Sequence, residues 1–193
     1  MLIRRRRQSL LYSLAICVLA FGASIAGAGP ANAYAYTGCR WPNGYISWSN
    51  YTTAYDSTWN SAFSNWDGSS DVTFSKVGTN SYAGAIVGNA TNFGSVGWDG
   101  MAPNAYSCSG GYWSSTGNPV QLNTYYTDGY TGYKRWSVAA HEIGHMLGLA
   151  HVGSGTTACS SVTIMNPYTS HRYDDCGKYT PWPDDISGVN ALY

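Results

Sequence analysis

His141-Glu142-Ile143-Gly144-His145-Met146-Leu147-Gly148-Leu149-Ala150-His151 gathers three of the chain's four histidines and its only glutamate into one short stretch. On a helix, residues i and i+4 share a face one turn apart, so the imidazoles of His141 and His145 can reach one metal ion. A straight helix does not return a residue six positions further on to that ion. The chain therefore has to turn after Leu147, and Gly148 makes a left-handed turn inexpensive. His151 then comes back as a third ligand, and Glu142 projects beside the ion's open side.

Three neutral nitrogen ligands leave a tetrahedral ion one position for water, the arrangement of a catalytic rather than a structural site, and imidazole suits zinc better than calcium or magnesium. The chemistry expected of such a site is hydrolysis of a peptide bond by a zinc-bound water activated by Glu142, which later protonates the leaving amine. The pattern H-E-x-x-H-x-x-G-x-x-H arises by accident on the order of once in a hundred thousand chains of this size at average residue frequencies. That separates it from an isolated H-E-x-x-H, which coincidence readily produces.

Outward from this stretch, Trp136, Ala140, Ile143 and Leu147 mark the apolar side of a helix over 133–147. Tyr55, Trp59, Ala62, Phe63 and Trp66 lie on one helical face, with Thr52 or Thr53 as the expected cap and Asp67-Gly68 as the stop. Tyr45-Ile46-Ser47-Trp48 alternates after a Pro42-Asn43-Gly44 turn and reads as a first strand. Short β-rich runs follow at 72–77, 85–87, 95–98, 111–114 and 120–125, and Ile186, Val189 and Leu192 space a last helix behind Asp184-Asp185. The fold class is α+β.

Residues 1–33 read as a secretion signal: Arg4 to Arg7, an apolar stretch from Leu10 to Phe21, and the small-residue site Ala31-Asn32-Ala33. Ser13, Gly22, Ser24 and Gly27 dilute the apolar run below the roughly 20 residues of a membrane span. Lipoprotein processing at Cys17 is disfavoured by the bulky Ile16, and twin-arginine export fits the residues after the arginines poorly. Residues 34–193 are then one domain, secreted, extracellular and monomeric, with no membrane association after cleavage.

Four of the ten basic residues lie in that leader, leaving six against ten acidic ones, which argues against a nucleic-acid partner. Cys39, Cys108, Cys159 and Cys176 form an even set in an exported chain, hence two disulfides. Three pairings are possible; the favoured one joins Cys159 to Cys176, closing a short loop, and Cys39 to Cys108.

With its extended zinc motif and the downstream Thr163-Ile164-Met165-Asn166-Pro167-Tyr168, the chain resembles the metzincins, zinc peptidases defined by such a motif and a methionine turn. Within that clan it is most similar to the matrixins. The likeness lies in Trp41-Pro42-Asn43-Gly44, in Ala62-Phe63-Ser64-Asn65-Trp66 and in Asp184-Asp185-Ile186-Ser187-Gly188. It implies a zincin-like domain in which a small twisted mixed sheet packs on the first helix and the active-site helix, followed by the Met-turn and a C-terminal helix. It implies that Met165 floors the site without binding metal, and that Pro167 and Tyr168 wall the pocket for the residue after the scissile bond. It also implies that the strand before the active-site helix pairs with an extended protein or peptide substrate. Relatives that use a tyrosine as an extra ligand carry it two positions after the methionine, where this chain has Pro167, so Tyr168 is not counted as a ligand.

Residues 78–130 lack histidine and have few carboxylates, so one catalytic zinc is expected and no structural zinc or calcium site. No propeptide fits between Ala33 and the first strand, and Cys39 is read as a disulfide partner rather than a latency cysteine. His171 reads as a solvated loop residue. The main competitor is a glycan-binding module, suggested by eight tryptophans and seventeen tyrosines; a zinc hydrolase acting on a non-peptide bond is another.

Overall fold

Alternation from Tyr45 to Trp48, with Ile46 and Trp48 turned inward, builds an interior strand of a five-stranded mixed sheet. A computed structural model describes residues 34–102 and 108–193; the leader expected over 1–33 lies outside the described residues. The elements are β1 (Ala35–Tyr36), β2 (Tyr45–Asn50), α1 (Asp56–Asp67), β3 (Thr73–Thr79), β4 (Ile86–Thr91) and β5 (Gly100–Met101). Then come β6 (Cys108–Ser109), β7 (Tyr112–Trp113), β8 (Asn118–Asn123), α2 (Thr124–Thr127), α3 (Gly132–Met146) and β9 (Leu149–Ala150). A π-helical turn (Ser170–Asp175) and α4 (Pro183–Asn190) complete the chain.

The sheet order is β3-β2-β4-β8-β5. β3, β2, β4 and β8 run parallel, and only β5 is antiparallel, pairing Gly100 with Leu122 and Met101 with Gln121. β8 thus has a neighbour on each side. The strand directly before the active-site helix is therefore not the one with an open edge, contrary to the expectation from resemblance; among the described residues β5 ends the sheet.

α1 packs Trp59, Ala62, Phe63 and Trp66 into the core, all at 1% exposure or less, and Phe63 stacks on Trp48 at 4.2 Å between centroids. A large side chain such as Phe63 contributes roughly 1.5–3 kcal/mol by leaving water, the Ala62 methyl less. Trp66 also donates its indole N–H to the carbonyl of Ala140 at 3.0 Å, pinning α1 to α3. The helix starts later than Thr52 or Thr53 predicts: Tyr55 is the cap residue, in the left-handed region at φ 58° without a side-chain cap bond. Asp56 meets the dipole there instead.

The strand expected over 95–98 is a loop, because Gly94 and Gly97 take φ of 75° and 82°, outside the extended region. The run expected over 120–125 begins at Asn118 and ends at Asn123, where the chain turns into α2. Nothing periodic announces the π-helical turn. Cys39 is joined to Cys108 and Cys159 to Cys176, closing loops of 69 and 17 residues.

Candidate metal centre

α3 opens on Thr131, whose hydroxyl accepts from the Lys134 amide, and closes after Leu147, where Gly148 adopts φ 99°. That turn delivers β9, paired antiparallel with β1, and so fixes His151 opposite the helix. One ligand nitrogen from each of His141, His145 and His151 lies within 4.8 Å of the others. The Nε2 atoms of His141 and His145 each stand 3.1 Å from Nε2 of His151.

Nδ1 of His141 lies 2.8 Å from the carbonyl of Ile164, and Nδ1 of His145 lies 2.8 Å from that of Leu149. A carbonyl only accepts, so each Nδ1 carries the proton and each Nε2 turns a lone pair inward. The lone pairs of His141 and His145 thus converge on the His151 nitrogen, an arrangement suited to a shared cation. Metal–nitrogen bonds of roughly 2.0–2.1 Å in a tetrahedron place ligand nitrogens about 3.3 Å apart, close to the spacing present, so the residues fit zinc. Burial, reinforced by the charge of Arg172, holds the trio neutral: His145 is lowered to about 4, His141 well below its usual value, and His151 is lowered too.

Glu142 is buried at 5% exposure, and burial raises its carboxyl to about 8 against the opposing charge of Arg172. Gly100 of β5 lies directly over it: a Cβ there would stand 2.6 Å from Glu142 Oε1 and 2.4 Å from Val138 Cγ1. Met165 is buried against α3, where a Cβ on Gly144 would meet its sulfur at 2.4 Å. The second variable position of the H-E-x-x-H motif therefore has to be glycine for the methionine to approach.

Behind this floor lie two buried charged residues, Asp185 and Arg172, whose contacts the sequence does not announce, although Asp185 marks the start of the last helix. Asp185 of α4, 1% exposed, accepts from the amides of Ile164 at 2.9 Å, Met165 at 3.4 Å and Trp182 at 2.8 Å. It thereby holds the carbonyl that orients His141. Arg172, also 1% exposed, donates to Ser137 Oγ at 2.9 Å, to Thr169 Oγ1 at 3.0 Å and to the Asn166 carbonyl. Arg172 could not be singled out beforehand because the π-helical turn bearing it has no periodicity.

A cleft of about 330 Å³ joins the three histidines and Glu142 to Gly97, Trp98, Asp99 and Pro167. An adjoining hollow of about 350 Å³ continues it past Tyr126, Tyr130 and Tyr168. Pro167 thus stands in the cleft itself, whereas Tyr168, 54% exposed, walls its extension. His171 stays outside and is engaged rather than solvated, with Nε2 2.8 Å from the Thr157 carbonyl and Nδ1 2.9 Å from Asp175. Five of the eight tryptophans, Trp41, Trp48, Trp59, Trp66 and Trp113, are core residues, so packing rather than sugar stacking accounts for them.

The family profile described as Matrixin (peptidase M10) matches residues 45–193. Human matrix metalloproteinase-26 is 35% identical over 83 residues, covering 41% of this chain and 29% of that protein. The probable matrix metalloproteinase 095L of Invertebrate iridescent virus 3 is 29% identical over 164 residues, covering 80% of this chain and 40% of that one. The chain thus spans well under half the length of these relatives. Among solved structures, the hatching enzyme zinc-protease high choriolytic enzyme 1 of Oryzias latipes aligns over 81% of this chain and 95% of its own, at 15% identity and TM-score 0.46. Myroilysin aligns over 74% and 66%, at 18% identity and TM-score 0.41.

Proposed function

Because the chain belongs to the matrixin family of metallopeptidases, we propose that residues 34–193 form a secreted zinc-dependent endopeptidase, released from a leader over 1–33. His141, His145 and His151 hold the metal, and Glu142 is the general base and acid. The observation that carries this reading is the convergence of the Nε2 atoms at 3.1 Å while the Nδ1 protons of His141 and His145 are committed to backbone carbonyls. Neutral imidazoles with fixed tautomers are preorganised for a cation.

When bound, zinc polarises a carbonyl oxygen and brings the pKa of a coordinated water toward about 7. Glu142 takes the proton of the attacking water and passes it to the departing amine nitrogen. Burial raises its proton affinity, an effect the Ala102 backbone partly opposes. An extended substrate adds to the open edge of β5, which runs past Glu142 at Gly100. Pro167 and Tyr168 bound the space for the residue following the scissile bond. Two disulfides suit an oxidising compartment, and no helix among the described residues is long and apolar enough to cross a membrane.

A peptide-library digest with and without a chelator tests the reading. Cleavage of internal peptide bonds is expected, abolished by the chelator and restored by zinc. In Glu142→Ala, turnover falls by about 10²–10⁴-fold with zinc retained. Cleavage indifferent to chelation, or unchanged in Glu142→Ala, rules it out.

A further inference from the structure

Residues 93–99 lead into β5 and form the rim of the cleft through Trp98 and Asp99. Among the described residues, His141, His145 and His151 are the one group placed to hold a metal ion. The rim is tied down by side-chain hydrogen bonds.

The side chain of Asn123, fully buried at the end of β8, spends all its hydrogen-bonding capacity on this purpose and on capping α2. Its oxygen accepts from the amides of Phe93 at 3.0 Å and Tyr125 at 3.1 Å. Its nitrogen donates to the carbonyls of Gly94 at 2.9 Å and Trp98 at 3.2 Å. Its backbone amide donates to the Asp99 carbonyl at 2.9 Å. Two more residues on the same side of the following turns reach the same loop. The Tyr126 hydroxyl accepts from the Gly97 amide at 3.2 Å and lies 3.3 Å from Ser95 Oγ. The Tyr130 hydroxyl donates to Asp99 at 3.1 Å.

We propose that Asn123 is a positioning residue for substrate binding: its amide, seconded by Tyr126, sets the rim from Phe93 to Asp99 and thereby the height of the β5 edge above Glu142. A carboxylate could still accept from Phe93 and Tyr125 but would face the Gly94 and Trp98 carbonyls with no proton to offer. The rim would lift while the histidine floor, built on other elements, stayed in place. The inference rests on the peptidase reading for its kinetics but not for the bonds themselves.

The test compares Asn123→Asp with wild type, both zinc-loaded, on a long peptide that can pair along β5 and on a minimal one that cannot. The expected result is KM for the long peptide raised about tenfold, KM for the minimal peptide within twofold, and kcat and zinc content unchanged. Equal effects on both peptides, a loss in kcat instead of KM, or no effect overturns the proposal. If Asn123→Asp does not fold, Tyr126→Phe, which keeps the ring, takes its place: KM about threefold higher for the long peptide only, with equal or absent effects overturning it. Hydrogen exchange of the wild type, which needs no activity, reads the brace separately. The Phe93 amide is expected to be protected together with that of Tyr125, and free exchange at Phe93 overturns the proposal. Wild-type protein that holds zinc, shows this protection and cleaves no peptide would refute the peptidase reading and leave the brace intact.

Discussion

Two sides of one cleft, the floor beneath the histidines and the rim opposite them, are held by unlike means. On the floor, Nδ1 of His141 and of His145 is tied to a backbone carbonyl, and the segment supplying the first is itself held by Asp185 from α4. Met165 fills the space under Gly144. The rim is a glycine-containing loop and a two-residue strand, gripped by Asn123, Tyr126 and Tyr130. A floor interlocked with the core fixes the reacting groups, whereas a rim hung on a few side chains can be retuned without disturbing them.

The largest effect expected from breaking this contrast is on the floor. Asp185→Ala orphans the amides of Ile164 and Trp182, while Met165 keeps Thr163 Oγ1 at 3.2 Å; at about 1–3 kcal/mol for each buried donor, the loss reaches up to about 6 kcal/mol. Denaturant unfolding reads it, and a change below about 1 kcal/mol would show the floor to be held otherwise.

Next is a pH effect from Glu142. Burial raises its carboxyl from 4.5 to about 8, so between those values the folded metal-free chain keeps a proton that the unfolded chain has released. Stability therefore falls as pH rises through that window. Glu142→Gln removes the penalty, so the metal-free variant gains on metal-free wild type from pH 4.5 upward and levels off near pH 8. The ceiling is roughly 4–5 kcal/mol, at about 1.4 kcal/mol per pH unit. Urea titrations across that range measure it; a margin independent of pH contradicts it.

Where rim meets floor, Gly100→Ala forces a methyl against Val138 and Glu142 and is expected to cost about 1–3 kcal/mol as overpacking, with a drop in kcat. Unaltered kcat would mean that the rim yields more easily than described. The smallest effect belongs to the rim alone. Tyr130→Phe loses one bond to Asp99, about 0.5–1.5 kcal/mol, with kcat unchanged; a larger loss would make the rim as interlocked as the floor.

The same contrast explains what could be read from the chain beforehand. His141, Glu142, His145, Gly148 and His151 are contiguous, and helical periodicity plus one glycine turn place them relative to one another. α1 was legible through its aromatic face, although its cap was not, because Tyr55 adopts a left-handed conformation that propensity does not favour. Asn123 and Arg172 act across 25 or more residues, Asn123 on Trp98 and Arg172 on Ser137, through single polar side chains that look like any loop or surface residue until the fold brings them inside. Strand register was equally hidden: Ser95 to Trp98 has β-like composition, yet Gly94 and Gly97 turn it into the rim and leave β5 with two residues.

The most direct test of the account is the zinc content of the purified protein by mass spectrometry, for wild type and for His141→Ala, His145→Ala and His151→Ala. One zinc per wild-type chain, and a loss of roughly 10-fold or more in zinc affinity with each substitution, is the predicted result. Wild-type protein that takes up no zinc, or a variant that binds it as tightly as wild type, would contradict it.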